Sequence, residues 1–152
     1  MIDKNIFKKS IATVLKASGF SKKGRQSWYL HGIDSVIVFS LQKSDWGEMY
    51  YINIGIWLKV LGEATFPLHN HCHIRHRVES LFPKQRETII TSCSLEESSI
   101  EHLNSLSIFI ENQLIPFLQE CTNENKLKEL FSQGLLDNGL VMLAARQHFS
   151  GQ

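Results

Sequence analysis

Hydrophobic and other residues alternate twice in succession between residues 35 and 58. In SVIVFSLQKSDW, Ile37, Phe39 and Leu41 fall on one face, and in MYYINIGIWL, Ile52, Ile54 and Ile56 do the same. Successive side chains of a strand point to opposite sides, so this period of two predicts a pair of half-buried strands joined by a short polar turn. Their apolar face requires a cover. Upstream, residues 27–31 read as a short aromatic strand and residues 32–34 as the turn into the pair, which makes a three-strand meander.

Helical periods on either side supply the cover. Phe7, Ile11, Val14, Leu15 and Ser18 recur at steps of three and four, leaving Lys4, Lys8, Lys9 and Lys16 for solvent. Asp3 is placed to cap that helix, Gly19 to end it in a left-handed conformation, and Phe20 to fold back on its last turn. Residues 21–26 read as a polar loop around Gly24. Beyond the meander, residues 62–67 form a weak breaker, residues 69–78 predict a further strand or an extended connection, and QRETIITSC predicts a short extended run. Ser94 with Glu97 forms a capping box, followed by Ile100, Leu103, Leu106, Ile110, Leu114 and Phe117 on one helical face. Pro116 is expected to kink or divide that helix. Two more helices are predicted, over residues 124–133, ended by Gly134, and over residues 139–149. The expected class is α+β, with an N-terminal helix, an antiparallel sheet of about four strands and C-terminal helices packed on it.

At 152 residues the chain suits one compact domain, and 43% hydrophobic with 20% charged residues is an ordinary globular balance. Charged residues punctuate the first 20 positions, and no run approaches the length of a spanning helix, so a cytoplasmic protein without a membrane partner is expected. Cys72, Cys93 and Cys121 are an odd set without a CxxC pair, which fits free thiols in a reducing compartment. Residues 1–60 hold nine Lys/Arg against four Asp/Glu, whereas residues 61–152 hold seven against eleven. Such asymmetry suits an anionic partner for the first part, or simply solvated faces on opposite sides of one domain.

LHNHCHIRHRVES is the densest group of chemically capable residues, with His69, His71, His73 and His76 around Cys72. On a strand, His69, His71 and His73 would project from one face at steps of about 7 Å, a spacing at which imidazoles can share a zinc ion. Against zinc stand Arg75 and Arg77 beside the cluster and the absence of an acid within it. The reading adopted is therefore no cofactor, with zinc at these four histidines as the alternative, in which the protein binds metal or a small ligand, hydrolysis being one use of it. Cys72 between two histidines resembles a nucleophile, but neighbouring residues on a strand face opposite ways, so a small buried hydrophobe is the simpler role. Neither GxSxG nor a phosphate-cradling glycine pattern occurs. Lys22, Lys23 and Arg25 before Trp28 and Tyr29 combine cations with rings as single-strand nucleic-acid binders do; the net charge of +1 argues against that use.

Gln42, Lys43 and Trp46 lie at a strand end and in the following turn, where exposed polar groups and an aromatic ring commonly meet a partner. Trp46 either anchors such an interface or covers the end of the sheet. Asn53 and Gly55 share a face with Tyr51 and Trp57, and the missing side chain of Gly55 leaves a dent there that a peptide, a ligand, Trp57 or a helix can fill.

Several of these pieces together resemble a bacterial family of uncharacterised domains, DUF-4304. They are the helix ending in Gly19-Phe20 with its basic loop to Arg25, Trp28-Tyr29, Leu41-Gln42-Lys43-Ser44, Tyr51-Ile52-Asn53-Ile54-Gly55, His71-Cys72-His73 with Arg75 and Arg77, and Leu114-Ile115-Pro116-Phe117-Leu118. The resemblance implies no reaction and no assigned site. Families of small cytosolic bacterial domains often include immunity proteins that neutralise a toxin, and fold-level analogy extends that expectation here. The function expected is thus a non-enzymatic domain that binds another protein, the immunity type being one form of it, with Gln42, Lys43, Trp46, Arg75 and Arg77 as the binding residues.

Overall fold

A computed structural model describes residues 1–151 of the chain. Helix α1 (Lys4–Ala17) begins where the Asp3 carboxylate accepts hydrogen bonds from the amides of Asn5 and Ile6. It ends ahead of Gly19, whose φ of 90° lies in the left-handed region, and the Phe20 amide donates back to the Leu15 carbonyl. Phe7, Ile11 and Leu15 form its buried stripe, as their spacing predicts.

Six strands make one sheet in sequence order: β1 (Ser21–Lys22), β2 (Ser27–His31), β3 (Ser35–Lys43), β4 (Tyr50–Leu58), β5 (Ile74–Arg77) and β6 (Leu140–Val141), each antiparallel to its neighbour. The meander and the central hairpin agree with the alternating pattern. The two strands beyond the expected number, β1 and β6, are two residues long, too short for periodicity to mark. Opposite Ile37, Phe39 and Leu41 stand Ile56, Ile54 and Ile52, and all six are buried on the core face. Trp28 meets Phe39 edge-on, and Tyr50 stacks on Phe7 of α1.

The remaining helices are α2 (Val78–Leu81), α3 (Arg86–Cys93), α4 (Ile100–Phe109), α5 (Ile115–Glu120), α6 (Glu124–Ser132) and α7 (Leu143–Phe149). Four local expectations are corrected. Residues 69–71 form a 3₁₀ turn, not a strand, and pairing starts only at Ile74. QRETIITSC is helical in α3, because Ile89, Ser92 and Cys93 recur at helical spacing on its buried side and the Ser92 hydroxyl donates to the His102 carbonyl; packing outweighs the strand preference of its Ile and Thr residues. Ser94 does not cap α4. It bridges to Met49, the Leu95 carbonyl accepts from the Ile2 amide, and Ser99 takes the capping position instead. Residues 140–141 pair as β6 before the last helix begins at Leu143.

Pro116 divides its helix as expected. The division is a π-helical turn, Ile110–Leu114, directly ahead of α5. Proline has no N–H to donate and crowds the carbonyl four residues back, and a wider turn relieves both problems. Gly134, with φ of 74°, follows the end of α6. No helix among the described residues is long and apolar enough to cross a membrane.

Candidate functional site

The side of the sheet facing away from the core is graded from apolar to polar. Strand register builds it in rows: His31, Val36 and Trp57; then Tyr29, Val38, Gly55 and Arg75; then Ser27, Ser40, Asn53 and Arg77; then Gln42 and Tyr51. Tyr29, Val36 and Val38 of the first two rows form a small second core with Cys72, and Trp57 packs against it. Cys72 and the turn at residues 69–71 close over this end, and the dent at Gly55 is filled by them. A Cβ at residue 55 would lie 2.8 Å from Cys72 Sγ and 3.3 Å from His69 Cδ2, so neither Trp57 nor a helix occupies the place.

The polar end stays open as a cleft of about 330 Å³ lined by Gln42, Asn53, His69, Arg75, Arg77 and Ser80, with His76, Asn138 and Gly139 at its margin. Asn53 Nδ2 donates to Gln42 Oε1 at 2.9 Å, which fixes both amides. Arg77 lays its guanidinium carbon 3.6 Å from the centre of the Tyr51 ring. Arg75 Nε donates to the Cys72 carbonyl at 3.1 Å. Three of the five expected binding residues, Gln42, Arg75 and Arg77, therefore share one cleft. Asn53 joins them, and its signal was legible as an amide in an otherwise apolar run. Ser80, Asn138 and Gly139 carried no such signal. Gly139 is there because a Cβ would come within 2.4 Å of the Arg75 carbonyl and 2.3 Å of the His76 ring.

Beyond Gln42, Lys43 ends β3 opposite Tyr50 and Trp46 lies in the β3–β4 turn. Lys43 Nζ donates to the Gly47 carbonyl at 2.8 Å and pairs with Glu48 at 3.6 Å, while the Ser44 hydroxyl accepts from the Trp46 amide. Trp46 itself is 94% exposed, so it does not cover the end of the sheet.

The four histidines disperse. His71 is exposed. His73 is buried, its Nδ1 accepting from the Leu58 amide at 2.9 Å and its ring 4.3 Å from that of Trp57. His76 lies on the core face opposite Ile54, with Nε2 donating to the Leu136 carbonyl. Of the four, His69 and His76 reach the cleft, His76 only at its margin, and His69 Nε2 is buried without a hydrogen-bond partner. Burial holds His69, His73 and His76 below the ordinary imidazole value; at His69 the charge of Arg75 adds to it, and at His76 the Leu136 hydrogen bond opposes it. Among the described residues no three His, Cys, Asp or Glu side chains are gathered as metal ligands. Cys72 is fully buried, and burial pushes its thiol up to about 12. A thiol so protonated is a poor nucleophile.

Trp28 and Tyr29 are buried, so neither ring is offered to a base. Lys22 instead lies over the Trp28 ring and Lys23 over Phe66.

A family model described as Domain of unknown function (DUF4304) matches residues 11–120. Gln42, Trp46, Asn53, Arg75 and Arg77 fall inside the matched range; Asn138 and Gly139 fall outside it. No curated protein and no solved structure matches the chain.

Proposed function

The chain belongs to the DUF4304 family, and from that footing we propose that it is a non-catalytic protein-recognition domain that docks another protein through the β3–β4 turn. Trp46 carries the reading. A large ring held almost wholly in water, at 94% exposure, has an apolar surface to gain by burial on a partner, and tryptophan is enriched where such contacts dominate affinity. The turn beneath it is already fixed by the Lys43, Ser44 and Glu48 contacts, so docking would order little additional chain. Lys43, at the end of β3, holds the turn through the Gly47 carbonyl and Glu48. In the immunity-type form of this proposal the partner is a toxin, and co-expression with a toxin encoded nearby is expected to restore growth.

The test is a pull-down with the full chain at physiological salt, run in parallel with Trp46→Ala and with Leu143→Ala, a change at another exposed apolar residue on α7. A near-stoichiometric protein held by the parent and by Leu143→Ala but lost from Trp46→Ala supports the proposal. Retention by Trp46→Ala overturns it.

A further inference from the structure

The open cleft is rich in donors and lacks a counter-charge. Arg75 and Arg77 are alternate residues of β5 on the same face, with Cα atoms about 7 Å apart. Neither guanidinium has a carboxylate within ion-pair distance among the described residues. Asp137, whose charge acts on His76 at the margin of the cleft, is paired with Arg146 at 3.6 Å. Two neighbouring cations without an anion repel one another, and a third charge of opposite sign relieves them.

Their geometry leaves the right atoms available. Arg75 engages Nε with the Cys72 carbonyl, which aims the side chain and leaves both terminal nitrogens. Arg77 uses its flat face on Tyr51, a contact that does not consume the N–H groups lying in the guanidinium plane. Asn53 is 7% exposed, and its Nδ2 retains a second proton after donating to Gln42. His69 Nε2 is buried and unpartnered at the same cleft. Burial and the two arginines hold that imidazole below the ordinary value, and a bound anion opposes the arginine contribution.

We propose that this cleft is an oxyanion site that takes a phosphate monoester or free phosphate, gripped by Arg75 and Arg77 with Asn53 and His69 as further donors. A phosphate dianion matches two guanidinium charges, and its three outer oxygens accept from several donors at once. This site is separate from the Trp46 turn and does not depend on a protein partner.

The test titrates the full chain with sodium phosphate, with glycerol 2-phosphate and with glutarate at constant ionic strength, read by calorimetry and by the amide NMR shifts of Asn53, Gly55, Arg75 and Arg77. Saturable binding of phosphate or its ester, with shifts centred on these residues, is expected; tighter binding of the ester marks an esterified ligand, and tighter binding of phosphate marks the free ion. Gln42→Glu places a carboxylate in the cleft at an exposed position and keeps the oxygen that accepts from Asn53, so the fold is retained while affinity falls about tenfold or more. Arg75→Gln is expected to weaken binding comparably, and Trp46→Ala to leave it unchanged. Absence of saturation by about 20 mM of either phosphate, which sets a limit near 2 kcal/mol of binding, overturns the site. Equal affinity in Gln42→Glu does so too, as does glutarate binding as tightly as phosphate.

Discussion

Gly55 on β4 faces the Cys72 side chain so closely that a methyl group at residue 55 would stand 2.8 Å from Cys72 Sγ. Gly55 also pairs with Val38 on one side and Arg75 on the other, so the contact fixes how the turn at residues 69–71 sits beside the cleft. Gly55→Ala is therefore expected to destabilise the protein by about 1–3 kcal/mol, the usual cost of forcing an extra carbon into a packed site. Urea unfolding measures it. Adding Cys72→Ala removes the sulfur but not the Cβ 3.1 Å away, so the double variant recovers part of the loss; strictly additive losses would show that the contact is not the cause.

Trp46→Ala separates docking from folding. The side chain is almost wholly in water and its backbone bonds remain, so the unfolding free energy is expected to change by less than about 0.5 kcal/mol while partner capture is lost. A large fall in stability would mean that the ring packs on the protein itself.

Acid should weaken the fold through buried histidines. His73 and His76 are held below the ordinary imidazole value of 6.5 by burial, so the unfolded chain binds protons at a higher pH than the folded one. Stability is then full above about pH 7 and falls as pH drops from 6.5 towards the folded values, by up to about 1.4 kcal/mol per pH unit for each histidine. Protonation at His73 Nδ1 also breaks its bond from the Leu58 amide. Urea midpoints between pH 8 and pH 5 check this: His73→Gln, which keeps an acceptor, should flatten the profile, and an unchanged profile would rule the histidine out as its cause.

Ser35 joins the sheet to the C-terminal helices. It is fully buried at the start of β3, and its hydroxyl donates to the Cys121 carbonyl at 2.7 Å, just after α5. Ser35→Ala leaves that carbonyl without this donor, and a loss of about 1–2 kcal/mol in thermal or urea unfolding is expected. A neutral result would indicate that another donor reaches Cys121.

All three thiols are buried and free. Burial raises Cys72, Cys93 and Cys121 above the ordinary thiol value. In the native protein an aromatic disulfide reagent should react only at the rate of unfolding, and in urea it should titrate all three. A fast native phase would identify a thiol reached by local opening.

Much of the site could be read in part from the chain. Gln42 at a strand end, Asn53 in an apolar strand and Arg75 with Arg77 at a step of two were each visible as local exceptions to a hydrophobic pattern. The histidines misled for a physical reason. Their spacing implies a common face only if the backbone is extended, and Cys72 folding onto Gly55 makes residues 69–71 a tight turn instead. Arg75 and Arg77 kept the alternation predicted for them because pairing with β4 enforces it from Ile74 onward.

By itself the sequence determined the elements whose signals repeat over several turns or alternations: α1 with its caps, the β2–β3–β4 meander, the helix divided near Pro116, and α6 before Gly134. Each is specified by local periodicity and by backbone chemistry at glycine and proline, which need no distant partner. Only tertiary structure decided that QRETIITSC is a helix, that β1 and β6 extend the sheet, and that Asn138 and Gly139 border a cleft with residues from β3, β4 and β5. Those outcomes depend on burial and hydrogen bonds between residues far apart in the chain, where local preference is weak and the packed surface with the better fit prevails.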